Sequence, residues 1–167
     1  MSKSSEHLME AFAGESQANR KYLAFAKKAD DEGFYQVAKL FRAAAEAETV
    51  HAHNHLRLVG GIKKTAENVG EAVDGETFEF MKMYPGFISD AKKEGNEQAA
   101  WSFDVANKVE RIHAGLYKKA LEALKNNKDI AITDFWVCKV CGNTVENLPP
   151  EKCPVCGAAK SAFSKVN

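Results

Sequence analysis

Two glutamate–histidine pairs stand at matched places in this 167-residue chain: Glu48-Thr49-Val50-His51 and Glu110-Arg111-Ile112-His113. On a helix, residues three apart share a face, so each pair can hold one metal ion from one side. One such pair is ordinarily a solvated surface feature. Here the two belong to an internal repeat: a shift of 62 residues lays Tyr22 on Tyr84, Phe25 on Phe87, Gly33 on Gly95, Glu48 on Glu110 and His51 on His113. The helices opposite must then supply facing carboxylates. Glu15, within Ala11-Phe12-Ala13-Gly14-Glu15-Ser16-Gln17-Ala18, is the candidate in the first half, and Glu76 and Glu79 are candidates in the second. Two Glu-x-x-His motifs with a glutamate from each other helix are the ligand pattern of ferritin-like di-metal carboxylate sites. Glutamates are rarely buried unless paired or bound to metal. Several facing each other in a low-dielectric core repel strongly, and two cations remove that repulsion. Carboxylate with imidazole suits iron or manganese.

A second kind of chemistry lies near the end of the chain. All four cysteines fall in Cys138-Lys139-Val140-Cys141-Gly142 and Cys153-Pro154-Val155-Cys156-Gly157, with 11 residues between the pairs. In each, backbone amides can point at the sulfurs, and glycine permits the positive φ needed after the second cysteine. Four thiolates make a tetrahedral site for iron or zinc. The spacing alone leaves both metals open.

These residues need elements to position them. Apolar residues recur at helical spacing from residue 1 to about 126, and Pro85 is the sole proline of that stretch. A first helix starts near Ser4 or Ser5 as N-cap and is interrupted at Gly33. A second runs from Phe34 to Val59 and stops at Gly60-Gly61. A polar connection is expected from about Ile62 to Asp74. A third helix then runs from Gly75 to Glu94, kinked or bulged by Pro85, and a fourth from Asn96 to Lys125. The expectation is an all-α four-helix bundle of the ferritin-like kind over residues 1–134 including a linker, and a small metal-binding module over 135–167. Tyr22 lies two turns past Glu15, on its face, and Tyr84 is its repeat mate. Near iron, a phenol can donate a hydrogen bond to a ligand or to bound peroxide. His7, His53 and His55 read as surface or packing residues, and Met81 and Met83 as packing.

Composition bounds the rest. The 23 basic residues cancel the 23 acidic ones, and no basic cluster offers a footprint for nucleic acid or an anionic membrane. There is no apolar run of transmembrane length. Met1–His7 leads into a polar pattern without a signal-peptide core, and the clustered cysteines read as metal ligands, so the expected compartment is the cytoplasm.

Over essentially its whole length the chain resembles the rubrerythrin family. The matching residues are Ala11-Phe12-Ala13-Gly14-Glu15-Ser16-Gln17, the two Glu-x-x-His motifs, Gly75-Glu76-Thr77-Phe78-Glu79 leading to Met83-Tyr84-Pro85, and the rubredoxin-like CxxCG…CPxCG. The resemblance implies that Glu48 and Glu110 bridge two irons, with Glu15, Glu76 and His113 as terminal ligands. It implies that His51 and Glu79 compete for one iron, histidine when reduced and carboxylate when oxidised. It also implies a third iron held by Cys138, Cys141, Cys153 and Cys156. The implied activity is a peroxidase of oxidative-stress defence: electrons from an NAD(P)H-linked redox protein pass through the tetrathiolate iron, and hydrogen peroxide is reduced to water beside Tyr22 and Tyr84. One departure is Asn143, where family members often carry an aromatic residue.

The alternatives are a ferritin-type ferroxidase and a non-enzymatic bundle with a zinc ribbon. From His113 to Lys125 is 12 residues, roughly 18 Å of helix. That length leads to the expectation of a head-to-tail homodimer, or higher oligomer, in which each small module serves its partner's di-iron site.

Overall fold

The computed structural model describes residues 2–166. Its chain divides into two compact units, Met1–Lys63 and Lys64–Asn167. The first is a helical hairpin. Helix α1 runs from Lys3 to Asp31 and α2 from Tyr35 to Leu58. The N-cap is Ser2, whose hydroxyl accepts the Ser5 N–H, two or three residues ahead of the expected Ser4 or Ser5. Serine at the cap satisfies an amide that the first turn leaves unpaired. Gly33 reverses the chain at φ 83°, and Asp30 and Arg42 pair across the turn at 2.7 Å.

The seam of this hairpin is alanine. Ala26 and Ala29 of α1 are buried, as are Ala38, Ala45 and Ala52 of α2, which recur every seven residues. Small residues let the two backbones approach closely. Asn19 uses that proximity, donating to the Ala45 carbonyl at 2.7 Å and to Thr49 Oγ1 at 2.9 Å. The larger apolar side chains lie outside the seam: Leu40 is 69% and Leu58 73% exposed.

The second unit begins with α3, Thr65–Phe78. The connection expected through Asp74 is therefore only residues 59–64, and its remainder is helix. Glu67 accepts the Lys64 N–H at 3.4 Å, and Val69, Ala72, Val73 and Glu76 fall at helical spacing, a signal that the polar content and Gly70 obscured. At Glu79–Met83 the helix widens to a π-helical turn, then continues as α4, Tyr84–Lys93. Pro85 lacks an N–H, and the wider turn just before it absorbs the missing hydrogen bond. After Gly95 (φ 70°), Asn96 caps α5, Glu97–Lys125.

The repeat is visible in three dimensions. Tyr22, Phe25 and Phe41 form an aromatic triad with ring centroids 5.6–6.4 Å apart. Tyr84, Phe87 and Phe103, each 62 residues on, form its counterpart at 5.5–6.3 Å.

The tail is a three-stranded antiparallel sheet in the order β2-β1-β3, with β1 Phe135–Cys138, β2 Thr144–Glu146 and β3 Phe163–Lys165. Asn127, at φ 52°, helps turn the chain after α5. The module folds back along that helix: Lys119 Nζ meets Glu146 Oε1 at 2.7 Å.

Glycine at two kinds of position gives opposite expectations. At Gly95 the left-handed backbone costs an L-residue about 1–2 kcal/mol, so Gly95→Ala should lower unfolding stability by that amount. Gly115 sits exposed inside α5, with nothing near a built Cβ. Gly115→Ala should raise stability by about 1 kcal/mol. Urea titration of both variants checks the sign of each.

Candidate metal centres

Each unit presents one carboxylate–imidazole cluster. In the first, ligand atoms of Glu15, Glu48 and His51 all lie within 4.8 Å of one another. In the second, Glu76, Glu110 and His113 do the same. The matched geometry extends to the hydrogen bonds: His51 Nδ1 lies 2.8 Å from Glu48 Oε2, and His113 Nδ1 lies 2.8 Å from Glu110 Oε2. The i, i+3 spacing places each pair on one helix face, and the helix opposite brings the third group.

Glu79 stands outside the three-residue cluster, yet it senses it. Burial and the charge of Glu110 push its pKa up, against the opposing pull of His113. Its position is explained by the π turn. Tyr22 follows Glu15 by seven residues, whereas Tyr84 follows Glu76 by eight. A π turn accommodates one residue more than an α turn. The extra residue therefore keeps both the carboxylate and the phenol of the second half in the places of the first, and adds a second carboxylate that the first half lacks. The unequal spacing was present in the sequence. Tyr84 is held as a phenol by burial and by the charges of Glu110, Glu79 and Glu76, which all raise its pKa.

The electrostatics of the second cluster favour a cation. Glu76 is pushed up to about 7, first by burial and then by its hydrogen bond and charge interaction with Glu110. The Glu110 carboxyl is pulled down, chiefly by its hydrogen bond to His113, and that bond in turn raises His113. Protons on Glu76 and His113 offset part of the negative charge that a divalent ion would offset in full.

The two histidines differ in their anchoring. His113 Nε2 lies 2.9 Å from Thr144 Oγ1 of the small module, which fixes the ring from its far side. His51 is half exposed and has no such partner among the described residues. A cavity of about 420 Å³ borders Glu76, His113, Tyr117, Ile130, Phe135 and Thr144. The tetrathiolate module thus packs beside a carboxylate–imidazole cluster of its own chain. The distance expectation had treated the module as lying beyond the end of α5. The turn at 126–134 brings it back instead, which removes the reason for assigning each module to its partner's site.

In the module, Cys138 Sγ and Cys156 Sγ are 3.8 Å apart and Cys141 Sγ and Cys153 Sγ 3.6 Å. A tetrahedron with metal–sulfur bonds of about 2.3 Å has edges of about 3.8 Å. The thiolate set fits a tetrahedral ion. Burial pushes the Cys153 thiol up, but the Cys156 and Val155 backbone N–H groups and the neighbouring thiols bring it to about 7. Burial raises Cys141 and Cys156. Gly142 and Gly157 adopt φ 84° and 77° after their cysteines, as the motif requires. Asn143 is 1% exposed, and its Nδ2 lies 3.6 Å from Cys153 Sγ. The departure from an aromatic residue therefore supplies a donor to sulfur, a role that the sequence reading did not assign.

Comparison with known proteins agrees with this geometry. The family model described as Rubrerythrin matches residues 6–121, and that described as the rubredoxin-like domain of rubrerythrin matches residues 136–164. The chain is 33% identical to Rubrerythrin-2 of Clostridium acetobutylicum over 95% of its own length and 94% of that protein. It is 34% identical to rubrerythrin of Porphyromonas gingivalis, covering 99% and 90% respectively. Among solved structures it is similar to nigerythrin in its mixed-valence state, with a TM-score of 0.56 and 32% identity over 99% of this chain and 88% of that one.

The pKa shifts carry a signed expectation. Glu76 and His113 are both raised, so the metal-free unit is stabilised by their protonated forms. The Glu76 part is complete below about pH 4.5 and is lost as pH rises through about 7. A cation needs both groups deprotonated. Manganese(II), which thiolates do not favour, should therefore release protons on binding at pH 6, with the Glu76 share fading above about pH 7. Calorimetry in two buffers of different ionisation enthalpy measures this; identical heats at pH 6 contradict it.

Proposed function

We propose that this chain, which belongs to the rubrerythrin family, is a cytoplasmic peroxidase reducing hydrogen peroxide to water. The family carries a di-iron site and a rubredoxin-like iron site. The ligand groups for both are present here as the paired Glu-Glu-His clusters and the four converging cysteines. The observation that carries the reading is the hydrogen bond between Thr144 and His113. It attaches the electron-accepting module to a ligand of the reaction site, an arrangement for which an iron-storing oxidase has no use.

In this reading Glu48 and Glu110 would be shared between the two irons, and Glu15, Glu76 and His113 would each hold one. His51 and Glu79 share the remaining position. The anchoring difference supports that division. His113 is held at both ring nitrogens, by Glu110 and by Thr144, while half-exposed His51 is held by Glu48 alone. Glu79 sits on the π turn, where burial and the charge of Glu110 raise its pKa against the pull of His113. A reduced iron pair held by these residues would supply the two electrons that, with two protons, turn one peroxide into two waters. The Tyr84 phenol, kept protonated by the surrounding carboxylates, donates a hydrogen bond to the oxidant, and Tyr22 does so from the other half.

The electrons come from a redox protein reduced by NAD(P)H. The four thiols require a compartment that keeps cysteines reduced, which the cytoplasm provides. The working form is a homodimer.

The fully reduced protein, mixed in stopped flow, should be re-oxidised by hydrogen peroxide at least about tenfold faster than by dioxygen at equal concentration, a difference of about 1.4 kcal/mol in barrier. Equal rates would sink the peroxidase reading in favour of an oxidase. Thr144→Val should keep the module's iron and slow donor-linked turnover several-fold; turnover at the original rate would show that electrons reach His113 by another route.

A further inference from the structure

The two CxxCG turns of the small module have the same backbone. The Gly142 N–H returns to the Cys138 carbonyl at 2.8 Å, and the Gly157 N–H to the Cys153 carbonyl at 2.9 Å. One residue on, the Asn143 carbonyl accepts the Cys138 N–H at 2.9 Å, and the Ala158 carbonyl accepts the Cys153 N–H at 2.7 Å. The backbone N–H groups of Asn143 and Ala158 donate to the Cys141 and Cys156 sulfurs. Only the side chains at this matched position differ. Ala158 ends at Cβ, so the turn itself requires no amide. Asn143 carries one, and its Nδ2 reaches Cys153 Sγ of the other turn at 3.6 Å.

Stability does not account for that amide. Asn143 is 1% exposed in a module whose buried core is Cys138, Cys153 and Phe163. Its Oδ1 is buried and has no hydrogen-bond partner among the described residues. A buried polar atom without a partner opposes folding, and leucine, with the same branched heavy-atom frame, would avoid that loss. The orientation is also fixed by chemistry. Thiolates that hold a metal only accept hydrogen bonds, so the NH2 end must face Cys153 and the oxygen must face away. The positive end of the amide dipole is thereby turned toward the sulfurs. Cys153 is itself 2% exposed, so Asn143 supplies a donor where water has little access.

We infer that Asn143 raises the reduction potential of the module's iron through its bond to Cys153 Sγ. The inference rests on the four thiolates holding iron, as in the function proposed above. With four thiolates, a ferric ion leaves one net negative charge and a ferrous ion leaves two. Reduction takes one electron from the donor redox protein and no proton, so the added charge stays on the iron and its sulfurs. A hydrogen-bond donor at one sulfur stabilises the more negative form more than the less negative one, and apolar surroundings strengthen the effect. Asn143 acts through a metal ligand and does not meet the oxidant. It lets the module accept electrons from a weaker reductant than the backbone N–H groups alone would allow.

Redox titration of the full-length, iron-loaded protein tests this. Asn143→Leu keeps the branched frame and removes the donor. It should retain the module's iron and its visible absorption while the equilibrium shifts about tenfold toward ferric, a fall of about 59 mV for one electron. Asn143→Ala, which makes the first turn match the second, should shift the same way. A packing role alone would change stability and leave the potential where it was. An unchanged or higher potential in both variants overturns the proposal and leaves the iron reading standing. If the unmodified module holds no redox-active iron, both fall. A measurement on the unmodified chain covers variants that fail to load. With an NMR-active cadmium isotope in the four-thiolate site, the Asn143 side-chain amide protons should show scalar coupling to the metal nucleus through Cys153. Absence of that coupling removes the bond and overturns the proposal.

Discussion

Carboxylates that converge without cations oppose the fold that brings them together. Each unit gathers two glutamates and a histidine, and the second adds Glu79 beside them, a concentration of negative charge that metal ions would offset. Much of the structure follows from that requirement. The alanine seam of the first hairpin lets its paired helices approach closely. The hydrogen bonds from Glu48 to His51 and from Glu110 to His113 orient the side chains before any ion arrives. The raised pKa of Glu76, about 7, is the same repulsion seen from within one unit, where a shared proton does part of a metal's work.

A twofold-related pair of hairpins would by itself give two equal metals. Redox work that moves a ligand needs them unequal, and the chain achieves this with one residue. The π turn at Glu79–Met83 adds a carboxylate to the second half while leaving Tyr84 in register with Tyr22. The small module then adds a second inequality by anchoring His113 Nε2 through Thr144, where His51 has only its bond to Glu48. The inserted residue and the docked module act on different ligands. Together they make the two carboxylate–imidazole clusters unequal, one with an added carboxylate and a doubly held histidine, the other with neither.

What could be read from the sequence was whatever had a period or a motif. The 62-residue repeat, the Glu-x-x-His pairs and the two CxxCG turns depend on spacings that backbone geometry enforces, and the structure holds the same residues in matching clusters. The start of α3 was harder to read. Thr65–Asp74 is polar with a glycine at its centre, and its apolar positions are too few to outweigh a loop composition. The distance argument failed for a different reason. Counting residues gives the length of α5, but not the direction of the chain after Asn126. That direction is set by the turn at Asn127 and by contacts such as Lys119 with Glu146, which are distant in sequence. Asn143 escaped because its role depends on burial beside Cys153, and no spacing reports burial.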